Sequence, residues 1–225
     1  MQSKSSPFRS IVIFTVIIIA LIITLVVINN NKSESNGIEE IEEQPSIDGQ
    51  PTLGDADAPV SVVEFGDFKC PACKAWGESI FPQLVSDYVD TGKVKFSYIN
   101  VLFHGQESNL ASLAAESVYK LNPDAYWEFH KALFKEQPSE DHDSSWITNE
   151  KLLEVAETIP NIDSEQLKSA LNNQSELEEV NKDTTLVNAF NVKQTPTIMV
   201  NNIIIEKPFD YEAIKKAIDQ ALEGK

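Results

Sequence analysis

From Ile11 to Ile28 the chain runs eighteen residues with only Thr15 and Thr24 polar and no charge. That length of apolar chain spans a bilayer as a helix. Downstream the apolar runs shorten. Val60 to Phe65 is almost continuously apolar, interrupted by Glu64, as expected of a strand buried in a sheet. Trp76, Ile80, Phe81, Leu84, Val85 and Tyr88 then recur at helical spacing, with Pro82 expected to kink that helix and Thr91-Gly92 to end it. Val94 to Leu102 reads as a second strand. Helical periodicity follows over 107–121, 124–136, 148–159, 164–173 and 175–190, broken at Asn122-Pro123, at the polar loop Gln137 to Ser145 and at Pro160. Asp163 with Gln166 marks a helix start. Thr197 to Val200, a turn at Asn201-Asn202 and Ile203 to Ile205 form a hairpin, and Asp210 to Leu222 a closing helix.

Strand, helix, strand over 60–102 is a βαβ unit, and a helical block separates it from the closing hairpin and helix. Residues 29–52, rich in Asn, Ser, Glu and Gln, show no sustained period and read as a tether. The folded part is expected to begin near Leu53, with a turn at Asp55 to Pro59.

Charge fixes the expected orientation. Lys4 and Arg9 precede the apolar run without any acid, which places the amino end in the cytoplasm by the positive-inside rule. Asn29-Asn30-Asn31-Lys32 offers no small-x-small cleavage site, so residues 11–28 read as an uncleaved signal-anchor in a single-pass cell-membrane protein. The rest then lies on the extracytoplasmic side. Of 18 basic residues only Lys4, Arg9 and Lys32 precede the first acid, Glu34, so residues 33–225 carry 15 basic against all 35 acidic side chains, a net of −20. Nucleic acid is excluded as a partner. Among 225 residues 42% are apolar, enough for a real core in one large domain or two small ones.

The two cysteines, Cys70 and Cys73, frame Pro71-Ala72 at the strand-to-helix junction. Proline suits the first helical position. Two residues three apart on one helix face lie within disulfide reach. Cys70, at the helix start, faces free N–H groups and the positive end of the dipole, which lower a thiol pKa into a range of roughly 3.5–7.5. Cys73, one turn in, is expected to be more buried and to act second. Two bland readings compete. A structural bridge would close too small a loop to stabilise much. A zinc site would need four ligands, and His104, His130 and His142 lack ligand spacing. Redox chemistry is the stronger reading, with no cofactor for catalysis.

Cys-Pro-Ala-Cys after a strand, Thr195-Pro196 entering a later strand, and the closing hairpin and helix together resemble the thioredoxin fold. The helical block resembles the insertion of its DsbA-like branch. The segment Phe65-Gly-Asp-Phe-Lys-Cys-Pro-Ala-Cys and the lead-in Gly49-Gln-Pro-Thr-Leu-Gly are similar to the membrane-anchored thiol oxidases of Gram-positive bacteria, the BdbD type. The resemblance implies an α/β chain: a thioredoxin-like domain over 53–105 and 188–225 with an inserted all-helical domain over 106–187. It implies that Cys70 is the nucleophile, Cys73 the resolving thiol and Thr195-Pro196 a cis peptide beside them. Reduced, unfolded secreted proteins are the implied substrates, and a DsbB-like, quinone-linked membrane oxidoreductase the implied reoxidant. Pro-Ala between the cysteines departs from the Pro-His of DsbA, which leaves the oxidising power open.

Glu64 occupies the place of a buried acid in that family. Its alternatives are a satisfied core carboxylate or an edge-strand residue facing water. A charge inside an apolar strand six residues from a thiol favours proton transfer. Lys69 and Asp67 are expected to be solvated, Trp76 and Phe103 to pack, and His104 to be a hydrogen-bonded loop residue. The anchored branch also implies a structural calcium ion, with Gln50, Glu116 and Asp183 as matching ligand positions. Rival functions are a disulfide reductase or isomerase, and a non-catalytic copper(I) carrier using both thiolates.

Overall fold

Every residue from Val60 to Gly66 is buried, because this strand sits inside the sheet with a neighbour on each side. The computed structural model describes residues 13, 15–22, 24, 38–139 and 144–224. The chain divides into two units, Met1–Asn36 and Gly37–Lys225. In the first, the described residues 13, 15–22 and 24 are helical. The expected cytoplasmic tail and much of the expected span lie outside the described residues. Among those described, no helix is long and apolar enough to cross a membrane.

The second unit holds a mixed six-stranded sheet, in which the strands are β1 (Ile38–Glu40), β2 (Thr52–Leu53), β3 (Val60–Gly66), β4 (Val94–Asn100), β5 (Thr197–Val200) and β6 (Ile203–Ile205). Their order across the sheet is β1-β6-β5-β3-β4-β2. Only β3 and β4 are parallel, and they are joined through α1 (Pro71–Ser79) and α2 (Phe81–Leu84), followed by a π-helical turn at Val85–Val89. Between β4 and β5 come α3 (Gln106–Leu121), α4 (Tyr126–Lys135), α5 (Asn149–Glu157), α6 (Ser164–Asn173) and α7 (Leu177–Ala189), and α8 (Tyr211–Glu223) closes the chain.

Alternation along the strands divides the core. Val60, Val62 and Phe96 pack with Trp76, Leu84, Ile214 and Ile218 on one face. Val63, Phe65, Ile99 and Met199 pack with Val187 and Val192 on the other. A third cluster, built from α3 to α7, takes in Phe68, Cys70, Cys73 and Tyr98. At about 25 cal/mol per Å² of apolar area buried, such continuous clusters are the main stabilising contribution.

Several expectations need correction. The stretch 38–52 is not a tether: Ile38–Glu40 pairs antiparallel with Ile203–Ile205, Thr52–Leu53 pairs with Phe96 and Ser97, and Gln50 is buried. The helix after the cysteines breaks at Ile80, and Pro82 sits in the first turn of the next helix, where its missing N–H costs nothing. Asp67 and Lys69, expected in water, are 1% and 7% exposed. Phe103, expected to pack, is 48% exposed. Trp76 is fully buried and its indole N–H donates to the Pro208 carbonyl at 2.8 Å. Glu64, in a strand flanked on both sides, is not an edge residue.

Candidate functional site

Strand β3 ends at Gly66, and four residues later Cys70 occupies the N-cap of α1 in extended backbone, with Pro71 opening the helix. The Cys70 N–H donates to the Asp67 carbonyl at 2.9 Å, closing the turn that delivers the sulfur. Both cysteines are free thiols. No side chain caps α1, so its first N–H groups are available to the Cys70 sulfur. The Thr195–Pro196 peptide is cis, and the Cys70 thiol donates to the Thr195 carbonyl at 3.4 Å. The fold therefore brings the C-x-x-C helix and the start of β5 together across 125 residues of sequence.

The two sulfurs sit in opposed environments. The Cys73 thiol, the Thr195 side chain and the backbone N–H groups of Ala72 and Cys73 stabilise the Cys70 thiolate against the burial that opposes it, lowering its pKa to about 5. Burial comes first among the causes that push the Cys73 thiol well above its ordinary value, joined by the Cys70 hydrogen bond and the charges of Glu64 and Cys70. Glu64 is 3% exposed, and burial, then the Cys70 charge, push its carboxyl well up. Burial thus favours its protonated form near a thiol. A cleft of about 710 Å³ between α1, α2 and α4 reaches Glu64 and Cys73 past Phe81, Phe96, Trp127 and Phe134.

The loop between β3 and α1 is held from the helical block. Gln137 Nε2 donates to the Phe68 carbonyl at 2.7 Å and the Cys70 carbonyl at 3.2 Å. Lys69 pairs with Glu107, whose carboxylate also accepts the N–H groups of Trp146 and Ile147, each at 2.8 Å. Asp67 ties the loop to residues 103–108, including His104 Nδ1 at 2.8 Å, as expected for a hydrogen-bonded loop histidine. His130 is buried against Phe68, Tyr98 and Phe134, and burial lowers its pKa to about 3. His142 lies outside the described residues. Sequence reasoning singled out neither Gln137 nor the burial of Asp67 and Lys69, since their partners are remote in sequence.

A second cluster lies under the sheet end. Gln50 Nε2 donates to Asp183 Oδ1 at 2.6 Å, and Asn100 Nδ2 donates to Asp183 Oδ2 and Glu116 Oε1, both at 2.7 Å. The structure thus gathers Gln50, Glu116 and Asp183, and adds Asn100. All four are buried, and neither carboxylate has an ion pair among the described residues. Burial and the Asp183 charge push Glu116 up to about 8; burial pushes Asp183 up to about 6. Among the described residues, Gln50 Oε1 and Asn100 Oδ1 have no hydrogen-bond partner. Two carboxylates and two unmet amide oxygens form an all-oxygen donor set that suits a hard cation. Among the described residues no group of three or more His, Cys, Asp or Glu is placed to hold a metal, so amides are essential to this set.

Comparison with known proteins agrees with this geometry. A thioredoxin family model matches residues 46–220. Disulfide bond formation protein D of Bacillus subtilis is 46% identical over 196 residues, which is 87% of this chain and 87% of that protein. The probable disulfide bond formation protein D of Bacillus anthracis is 41% identical over 175 residues, 77% of this chain and 79% of that one. The crystal structure of oxidised BdbD from Bacillus subtilis superposes with a TM-score of 0.79 at 45% identity, covering 83% of this chain and 100% of that one. Chlamydia trachomatis DsbA gives 0.70 at 26% identity, over 83% and 98%. Sequence and fold thus agree over most of the chain: it belongs to the disulfide bond formation protein D family of DsbA-like protein-disulfide oxidoreductases.

Proposed function

We propose that this enzyme is an oxidase that passes the Cys70–Cys73 disulfide to reduced, unfolded secreted proteins. The observation that carries the reading is the asymmetry of the two thiols: a Cys70 pKa of about 5 beside a Cys73 pKa pushed up. A stabilised Cys70 thiolate favours the reduced enzyme and so makes its disulfide oxidising.

In the exchange, a substrate thiolate attacks the Cys70 sulfur. A substrate–Cys70 bond forms, the Cys70–Cys73 bond breaks, and its electron pair leaves on Cys73. Glu64, protonated by its burial, supplies a proton to that thiolate. A second substrate thiolate attacks the substrate sulfur and releases Cys70 as thiolate. The substrate gains a disulfide and the enzyme two electrons. A DsbB-like, quinone-linked membrane partner would reoxidise the pair. The apolar run at 11–28, on the sequence reading, anchors the chain with its catalytic unit on the extracytoplasmic side.

The same proposal includes a structural calcium ion held by Gln50, Glu116 and Asp183, with Asn100 as a further oxygen donor. The ion would supply charge compensation for two buried carboxylates; it takes no part in the exchange. Its support is the all-oxygen donor set with two amide oxygens unmet.

Refolding of a reduced, disulfide-requiring protein by the stoichiometric oxidised enzyme tests the main reading. Recovery of substrate activity with the parent and none with Cys70→Ser is expected. Equal recovery with both would overturn it.

A further inference from the structure

Asp67 touches both cysteines through its backbone. Its N–H donates to Cys73 Sγ at 3.5 Å, and its carbonyl accepts the Cys70 N–H at 2.9 Å. Neither contact needs a carboxylate, because every residue other than proline carries those two groups. What the Asp67 side chain adds is a lock. Oδ1 accepts the Lys69 N–H at 2.9 Å. Oδ2 accepts the N–H groups of Phe103 at 3.1 Å and His104 at 3.3 Å and the Ser108 hydroxyl at 2.9 Å, and it meets His104 Nδ1 at 2.8 Å. A carboxylate 1% exposed is costly unless its acceptor sites are filled, and here they are. Four of these five contacts come from residues 103–108, the segment entering α3. The position of the Asp67 N–H is therefore set by the helical block as well as by the loop itself.

We propose that Asp67 is a positioning residue for thiol–disulfide exchange: its locked side chain holds its backbone N–H against the Cys73 sulfur, stabilising the thiolate that leaves when a substrate opens the Cys70–Cys73 disulfide. The inference rests on the exchange reading above. When the substrate thiolate bonds to Cys70, the electron pair of the broken S–S bond accumulates on Cys73. A fixed N–H aimed there stabilises the transition state more than the resting disulfide, because the charge grows along the step. Exchange is faster when the departing thiolate is better stabilised. A separate reaction, in which the Cys70 thiolate attacks a foreign disulfide, places no charge on Cys73 and gains nothing from this contact.

That difference defines the test. Asp67→Asn keeps the size but leaves one acceptor oxygen where two served, so the lock loosens while the backbone remains. Reduction of the oxidised enzyme by glutathione is expected to slow about tenfold, the scale of one charge-assisted hydrogen bond. Reaction of the Cys70 thiolate with glutathione disulfide, measured in a Cys73→Ala background with and without Asp67→Asn, is expected to change less than about twofold. Unchanged reduction by glutathione overturns the inference, and so does equal slowing of both reactions, which would make Asp67 a fold clamp only. Should Asp67→Asn fail to fold, Ser108→Ala removes a single donor and is expected to give a smaller slowing confined to the first reaction; no such selectivity overturns the inference too. A parent enzyme inert in both directions would instead sink the exchange reading itself, and this inference with it.

Discussion

Glu64 and Tyr98 are register partners across the parallel β3–β4 pair, both buried, and each carries a side-chain oxygen that meets no hydrogen-bond partner among the described residues. Burial and the Cys70 charge push the Glu64 carboxyl well above its ordinary value, while Tyr98, similarly raised by burial, stays neutral. Burial in the strand therefore favours the protonated form of the acid beside the thiol pair.

Glu64→Gln is expected to preserve the fold and slow single-turnover exchange, by about 10²-fold if it removes a general acid–base contribution. Stability gives an independent sign. A carboxyl whose folded value is raised contributes most below its unfolded value near 4.5, and that contribution is lost as pH rises through the folded value. The Gln variant cannot ionise, so its stability should fall less than the parent's between pH 5 and pH 8. Denaturant unfolding at the two pH values measures this; an equal fall in both proteins would mean that Glu64 ionises in the fold as it does in the unfolded chain, and would contradict the raised value.

Cys70 has the opposite sign. With a folded value of about 5 against an ordinary 9.0, its thiolate adds stability to the reduced form as pH rises from about 5 to about 9, and loses it as pH falls through the folded value. The disulfide form has no such group. The reduced enzyme should therefore melt above the oxidised one at pH 8, with the gap closing toward pH 5. Thermal melts of both forms across that window check it.

Gly66 shows how tightly the end of β3 is packed. A Cβ there would come within 2.4–2.7 Å of the Tyr98 ring and hydroxyl. Gly66→Ala must displace a fully buried tyrosine and is expected to destabilise by about 1–3 kcal/mol, the usual cost of overpacking. Chemical denaturation of the reduced form gives the value.

Calcium should raise the melting temperature and a chelator lower it, since a ligand bound only by the native state stabilises it by RT ln(1 + [L]/Kd), roughly 1.4 kcal/mol at tenfold excess. The shift should vanish in the double variant Glu116→Ala with Asp183→Ala and shrink in Asn100→Ala. Coincident curves with calcium and with chelator would remove the site.

The periodicities made much of this fold legible. Val60 to Phe65, the hairpin at Asn201-Asn202 and the helix Ser164–Asn173 stand where the pattern put them, because each carries its own local signal. Ile38–Glu40 carries none: a three-residue strand is specified only by its partner Ile203–Ile205, which arrives at the far end of the chain. Burial of polar residues failed for the same reason. Asp67 and Lys69 look solvated until His104, Ser108 and Glu107, some forty residues on, are folded against them. Asn100 reads as one residue within the strand Val94 to Leu102, and only the convergence of β4 with α3 and α7 places it beside Glu116 and Asp183.

The reduction potential of the Cys70–Cys73 couple, by equilibration of the protein with glutathione, tests the central claim most directly. Stabilisation of the Cys70 thiolate predicts an oxidising couple, at or above about −180 mV and toward the DsbA value near −120 mV. A potential near −270 mV, where thioredoxin lies, would contradict the oxidase account and favour a reductase.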